Sequence, residues 1–164
     1  GWTITLADTG LNTMTGGRVN KIKKYVGDEP FFCTYGDGVA DVDISKLLAF
    51  HKKNKGVATL TAVNPVSRFG VIDINENSSI DHFREKPKSD GWINAGYFVF
   101  EPEIFDYLTD DSILEQEPLS QLADRNKLFA YKHEGFWQPM DTYREFKILN
   151  DLWDEQQAPW RVWS

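Results

Sequence analysis

One stretch limits the fold more than any other. Val57 to Val63, VATLTAV, is rich in β-branched side chains and almost free of polar ones. Such a run fits a strand buried on both faces of a sheet. It follows a segment carrying Ile44, Leu47, Leu48 and His51 at helical spacing. Asp43 is a good N-cap for that helix, and Lys52, Lys53 and Lys55 suit the negative end of its dipole. Ahead of the helix stands a second apolar run, Phe31 to Tyr35. Strand, helix, strand in this order is a βαβ crossover and predicts parallel strands in an α/β fold.

The first of these runs, read as a buried strand, breaks at Gly36-Asp37-Gly38 and recovers into Val39-Ala40. Glycines on both sides of an acid let the backbone turn sharply and let a ligand come close. Ligands of open α/β sheets bind at the carboxyl edge of the strands. Asp37 is therefore a candidate to meet a ligand, through a metal ion.

The remaining elements follow from periodicity and punctuation. Trp2 to Ala7 alternates like a strand, and Arg18 to Val26 has helical spacing. Between them, Thr15-Gly16-Gly17-Arg18 would leave free backbone N–H groups at a helix start, an anion site or an ordinary helix entry. Arg68 to Ile74 and Ser79 to Glu85 read as two strands around the turn cluster Asn75-Glu76-Asn77-Ser78. Pro87 ends the second and biases Lys86 to an extended conformation. Glu85 and Lys86 can divide a sugar phosphate between them, or form a surface ion pair. Trp92 to Gly96 leads into the strand Tyr97 to Phe100, with Asn94 offering a donor and an acceptor. Short helices are expected over Pro102 to Leu108 and within Ser112 to Asn126, where Pro118 marks a first turn, and a strand over Leu128 to Tyr131. His133 to Thr142 reads as irregular. Thr142 and Glu145 make a capping box before a helix with Phe146, Leu149, Leu152 and Trp153 on one face. Asp141, just ahead of it, either serves a ligand or stabilises the helix dipole. Trp160 and Trp163 in the tail need somewhere to pack.

Composition excludes several classes. The 164 residues carry a net charge of -7 with a pI near 4.9, which argues against non-specific binding to nucleic acid or anionic membrane. The single Cys33 cannot form an internal disulfide and reads as a core residue. No apolar run approaches the ~18 residues of a membrane span, and no signal peptide is visible; a cytoplasmic protein is the default expectation. There is no Cys/His cluster for zinc, no elbow-type serine beside His51, His82 or His133, and no GxGxxG after a strand.

Taken in order, six strings are specific. Thr15-Gly16-Gly17-Arg18, Tyr35-Gly36-Asp37-Gly38-Val39, Arg68-Phe69-Gly70, Phe83-Arg84-Glu85-Lys86-Pro87, Trp92-Ile93-Asn94-Ala95-Gly96 and Gly135 to Thr142 resemble the sugar-1-phosphate nucleotidyltransferases. The MTGGR, RFG, EQEP and GFWQPMDT strings look most like the branch that joins CTP to glucose 1-phosphate. The resemblance implies a Rossmann-like sheet, mixed and mostly parallel, with helices on both faces. Residues 1–63 would be the remainder of a nucleotide-binding half, and 64–164 a sugar-binding half with C-terminal helices. It also implies the reaction: CTP and α-D-glucose 1-phosphate give CDP-glucose and pyrophosphate with Mg²⁺, by in-line attack of the sugar phosphate on the α-phosphorus. By motif, Asp37 and Asp141 would hold Mg²⁺, Glu85 the sugar hydroxyls and Lys86 the sugar phosphate. Gly36, Gly70 and Asn94 would line the substrate pocket. Thr15, Gly17 and Arg18 would meet the base. A UTP- or dTTP-using enzyme, or a non-catalytic sugar-phosphate-binding module, shares many of these features. The family's glycine-rich GGxGTR-type loop is not in the sequence, so the expectation is a C-terminal portion that is inactive alone. Family likeness and the aromatic tail both point to a homo-oligomer.

Overall fold

Asp43 opens the helix that its sequence calls for: its carboxylate accepts from the Lys46 N–H at 3.0 Å. That hydrogen bond, with the Lys46 ammonium nearby, holds the Asp43 carboxyl below its usual pKa. The computed structural model describes residues 1–67, 69–88 and 91–163. Arg68 of the Arg68-Phe69-Gly70 string and the terminal Ser164 lie outside the described residues.

The elements are α1 (Thr15–Lys21), β1 (Phe31–Thr34), β2 (Gly38–Ala40), α2 (Ile44–Asn54), β3 (Ala58–Val63), β4 (Val71–Ile74), β5 (Ile80–Arg84), β6 (Ile93–Phe100), α3 (Glu117–Asp124), β7 (Leu128–His133), β8 (Trp137–Pro139) and α4 (Tyr143–Asp154). Short 3₁₀ turns occupy Lys23–Tyr25 and Pro102–Tyr107. The fold is α/β, built on a four-stranded sheet in the order β1-β6-β3-β7, with separate two-stranded ribbons β2-β8 and β4-β5. The chain divides into two compact units. Unit 1 holds residues Gly1–Thr34, Asp43–Leu60 and Gly96–Tyr131; unit 2 holds Tyr35–Val42, Thr61–Ala95 and Lys132–Ser164.

In unit 1, β6 runs antiparallel to β1, with Phe31 opposite Phe100 and Thr34 opposite Tyr97. The Glu101 N–H donates to the Val57 carbonyl at 2.8 Å, so the end of β6 lies beside the start of β3. The Lys127 carbonyl accepts from both Val57 and Ala58, which brings the starts of β3 and β7 side by side. The sheet is therefore mixed, and β6 is inserted between the two strands joined by α2. Leu47, Val57, Phe98, Phe100, Ile104, Leu114 and Leu122 form the fully buried core. Phe98 and Phe100 stack at 5.3 Å, and Phe31 meets Phe100 across the strand pair at 5.7 Å. Burying side chains of this size stabilises by roughly 1.5–3 kcal/mol each before entropy is counted.

Four expectations change. Among the described residues β1 is an edge strand, and it alternates half-buried and exposed because one of its faces is packed; Phe32 is 47% exposed. Cys33 is accordingly half-buried, and desolvation raises its thiol pKa. Residues 2–7 form no strand: Trp2, Ile4 and Leu6 are all exposed, since no described strand takes up their backbone groups. The first helix starts at Thr15, not Arg18, so Gly16 and Gly17 lie inside its first turn. The Gly17 N–H is not free; it donates to the Ser112 carbonyl at 3.0 Å. A Cβ at Gly17 would overlap the Asp110 carbonyl, and one at Gly16 would overlap Ser112. Close approach of two backbones is the reason for both glycines.

His51, expected on a helix face, is buried in unit 1. Its Nε2 lies 3.2 Å from Glu101 Oε1 and its Nδ1 2.9 Å from Thr59 Oγ1. A carboxylate only accepts, so Nε2–H donates to Glu101 and Nδ1 accepts from the Thr59 hydroxyl. Burial lowers the His51 pKa, against the opposing pull of Glu101 and with a small push from Lys52. The unfolded chain then binds the proton more readily. This contribution to stability is complete above about pH 6.5 and is lost as pH falls below it. The unfolding free energy from urea titration should drop between pH 7.5 and 5.5, by no more than about 1.4 kcal/mol per pH unit for one proton. His51→Gln should flatten that slope; an unchanged slope in the variant would assign it to other groups.

Candidate functional site

The ribbon of unit 2 brings together the two acids that the sequence separates by about a hundred residues. β2 and β8 pair antiparallel, Gly38 opposite Pro139 and Ala40 opposite Trp137. The segment expected to be irregular thus contains a strand, which its Phe-Trp-Gln-Pro run hides because Pro139 sits at the last paired position. Just beyond the ribbon the Met140 N–H donates to the Asp37 carbonyl at 2.7 Å. Asp37 and Asp141 therefore leave the same end of the ribbon, and both are exposed. Asp141 is held from its other side by the predicted capping box. The Thr142 hydroxyl accepts from the Glu145 N–H, and Glu145 Oε2 accepts from the N–H groups of Asp141 at 2.9 Å and Thr142 at 3.0 Å. Glu145 is buried, so this bracing is shielded from water.

The opposite end of the ribbon carries a lock that the sequence did not disclose. His133 Nε2–H and the Asp41 N–H both donate to the Phe136 carbonyl, at 3.1 and 3.2 Å, and the Asp41 carboxylate lies 2.9 Å from His133 Nε2 without a hydrogen bond to it. A Cβ at Gly135 would overlap Asp41 Oδ1, so a larger residue there would displace the Asp41 and His133 side chains. Trp137 Nε1 donates to the Ala95 carbonyl at 2.9 Å. Trp160 of the tail stacks on Phe136 with ring centres 5.5 Å apart, while Trp163 stays more than half exposed.

The β4-β5 hairpin positions the Glu85-Lys86-Pro87 string. A Cβ added at Gly70 would come 2.9 Å from the Phe83 ring and 3.1 Å from Glu85 Oε2, so Gly70 and Glu85 are neighbours. Lys86 and Glu85 lie 3.8 Å apart with both side chains more than half exposed, a pairing worth little. Lys86 is not extended: its φ is +45°, in the left-handed region. Proline after it disfavours the right-handed helical region, and the Pro87 carbonyl, held by the Ser67 N–H at 2.8 Å, fixes the turn. A lysine kept in so sparsely populated a conformation stores about 1–3 kcal/mol of strain, a pattern that clusters at functional sites. Asn94 is half-buried and donates to the Tyr35 hydroxyl at 3.2 Å. Gly36 faces open space on the side where a Cβ would stand.

A groove of about 1290 Å³ opens in unit 2. Lys86 and Asp141, both expected as site residues, line it together with Thr142 and Glu145, expected only as a capping box, and with Lys88 and Arg144, which were not singled out. Lys88 follows the Glu-Lys-Pro string by one residue and Arg144 sits in the first turn of α4; neither lies in a pattern that sequence reading singles out. A smaller cavity of about 360 Å³ shares Lys88 and Trp137 with the groove and adds Trp92, His133 and Glu134.

The other predicted residues lie in unit 1. The Thr15 hydroxyl donates to Glu115 at 2.7 Å and accepts from the Leu114 N–H at 3.0 Å. Arg18 donates to the carbonyls of Thr13 and Leu11 and to the Thr9 hydroxyl. Both side chains hold α1 against its neighbouring loops. For a metal, the ribbon end offers the Asp37 and Asp141 carboxylates as candidate donors. Among the described residues no group of three acids, histidines or cysteines gathers at one point. Two carboxylates that leave most positions to water and phosphate oxygens suit Mg²⁺, which rarely takes an all-protein cage. No helix among the described residues is long and apolar enough to cross a membrane.

Comparison with known proteins agrees with this architecture. The glucose-1-phosphate cytidylyltransferases of Salmonella typhi and Salmonella typhimurium are each 49% identical over 99% of this chain. The chain spans 64% of the length of each. A mannose-1-phosphate guanyltransferase of Yarrowia lipolytica is 35% identical over 73% of the chain and 34% of its own length. Among solved structures, apo-UDP-glucose pyrophosphorylase matches 91% of this chain and 63% of its own, with a TM-score of 0.66 at 17% identity. HddC from Yersinia pseudotuberculosis matches 85% of this chain and 62% of its own, with a TM-score of 0.62 at 20% identity. Both share the fold. The family model for nucleotidyl transferases matches residues 3–141, which take in the ribbon, the hairpin and both acids, and the chain belongs to that family.

Proposed function

We propose that this chain carries the sugar-1-phosphate side of a Mg²⁺-dependent cytidylyltransferase that makes CDP-glucose and pyrophosphate from CTP and α-D-glucose 1-phosphate. The observation that carries the reading is the convergence of Asp37 and Asp141 at one ribbon end, with Asp141 on the wall of the groove that Lys86 also lines. The Salmonella relatives support the choice of nucleotide and sugar.

In this reading Lys86 binds the phosphate of the sugar, Glu85 accepts from its hydroxyls, and Gly36, Gly70 and Asn94 shape the pocket. Thr15, Gly17 and Arg18 serve the base, Arg18 with the N–H donors it does not spend on the loop. Asp37 and Asp141 would hold Mg²⁺, which when bound neutralises triphosphate charge. A sugar phosphate oxygen displaces pyrophosphate from the α-phosphorus in line, with no covalent link to the protein. Such catalysis consists of positioning and charge neutralisation. The strained Lys86 backbone and the doubly bonded Glu145 brace supply pre-formed positions for it.

The test is a nucleotide panel. This chain, joined to the part of the Salmonella typhi relative that its match leaves out, should release pyrophosphate with CTP and glucose 1-phosphate at least about tenfold faster than with UTP or dTTP, a preference of about 1.4 kcal/mol. Equal or greater rates with another base would overturn the cytidine reading. Binding of glucose 1-phosphate without turnover by the joined protein would favour the non-catalytic module.

A further inference from the structure

The groove of unit 2 is cationic in a chain of net charge -7. Three cations line it, Lys86, Lys88 and Arg144, against two acids, Asp141 and Glu145. Glu145 is buried, and its carboxylate accepts from two backbone N–H groups. Asp141 is the remaining acid. Among the described residues no ion pair involves Lys88 or Arg144.

Arg144 also breaks a local rule. It stands in the first turn of a 12-residue helix, where the dipole favours acids and disfavours a cation. Lys86, on the same groove, breaks another with its positive φ. Both cations therefore sit where local physics opposes them, and local conflicts of this kind collect where function requires them. The backbones of Arg144 and of the third cation, Lys88, are braced: Arg144 beside the capping box, and Lys88 by a bridge to Val66 next to the Ser67–Pro87 hydrogen bond.

We propose that Lys88 and Arg144 join Lys86 in binding the phosphate of a sugar phosphate in this groove, with Arg144 the main discriminator between the phosphate ester and the free sugar. This rests on the reading of the groove given above, and deepens it. A guanidinium suits the task, since it offers paired donors to phosphate oxygens and keeps its charge at all working pH values. Binding an anion also offsets the cost of a cation at the α4 N-terminus. The free protein pays that cost and the complex does not, so affinity and stability should respond to Arg144 with opposite signs.

The test measures both. The 164-residue chain is titrated with glucose 1-phosphate, inorganic phosphate and glucose by calorimetry or NMR, and its melting temperature is recorded without ligand. Arg144→Gln and Lys88→Gln should each weaken glucose 1-phosphate binding by about tenfold or more. Inorganic phosphate should weaken in parallel, and glucose should not change. Arg144→Glu should abolish phosphate binding yet raise the melting temperature by about 1–3 °C. If Arg144→Glu lowers the melting temperature and Arg144→Gln and Lys88→Gln bind glucose 1-phosphate as the wild type does, these cations are structural and the proposal falls. If the wild-type chain binds neither glucose 1-phosphate nor phosphate, the sugar-phosphate reading of the groove falls with it. Loss with Lys86→Gln alone, the other two variants being normal, would leave that reading standing and sink this one.

Discussion

Asp37→Asn and Asp141→Asn should each lower pyrophosphate release by about 10²–10³-fold, or about 2.7–4 kcal/mol of transition-state stabilisation, when this chain is joined to the remaining part of the Salmonella typhi relative. Both carboxylates are exposed, so neither change should move the melting temperature by more than about 2 °C. The Met140 N–H to Asp37 carbonyl bond and the Asp141 N–H to Glu145 bond use backbone groups and survive both substitutions. The losses should be non-additive in the double variant, since groups that act as a unit are lost as one. Excess Mn²⁺ should restore part of the rate in either single variant and none in the double. A single variant that retains wild-type turnover at saturating Mg²⁺ would remove that residue from the metal reading.

Gly17→Ala should be strongly destabilising. Its Cβ would overlap the Asp110 carbonyl, a backbone atom that cannot swing away like a side-chain tip. Moving the Asp110–Ser112 turn also breaks the Gly17 N–H to Ser112 hydrogen bond of 3.0 Å. Overpacking and a lost buried bond together cost about 3 kcal/mol, or about 6–12 °C in melting temperature for a chain of this size. A calorimetric shift below about 2 °C would refute the packing account. If the variant instead melts normally but loses CTP binding in the joined protein, the glycine serves the base and not the turn. Thr15→Val is a useful companion. It removes the hydroxyl that bonds Glu115 and the Leu114 N–H while adding no bulk at the backbone.

Much of the site was readable from local chemistry. Gly36-Asp37-Gly38 announces an exposed acid because two glycines in succession around a carboxylate serve little else at the end of an apolar run. Thr142 and Glu145 announce a helix start, and the capping box forms as the spacing requires. What local chemistry could not supply is partnership. β8 was missed because a three-residue strand has no periodicity of its own and exists only by pairing with β2. Trp2 to Ala7 was misread for the converse reason: it alternates like a strand but has no described neighbour to pair with. Lys86 was expected to be extended because the rule for residues before proline is local, whereas the Ser67–Pro87 bond that shapes this turn is not.

The sequence by itself determined the α/β class, the helix that Asp43 caps with the strand after it, and the capping box of α4. These depend on period, caps and turn residues within a few positions of one another. Only the tertiary structure decided that β1 is an edge strand, that Gly16 and Gly17 make room for the Asp110–Ser112 backbone, and that Lys88 and Arg144 share a groove with Lys86 and Asp141. Each of those facts is a contact between residues tens of positions apart. Asp37 stands between the two cases: its glycines mark it as a strand-end acid, and only the hydrogen bond from Met140 to its carbonyl brings it beside Asp141.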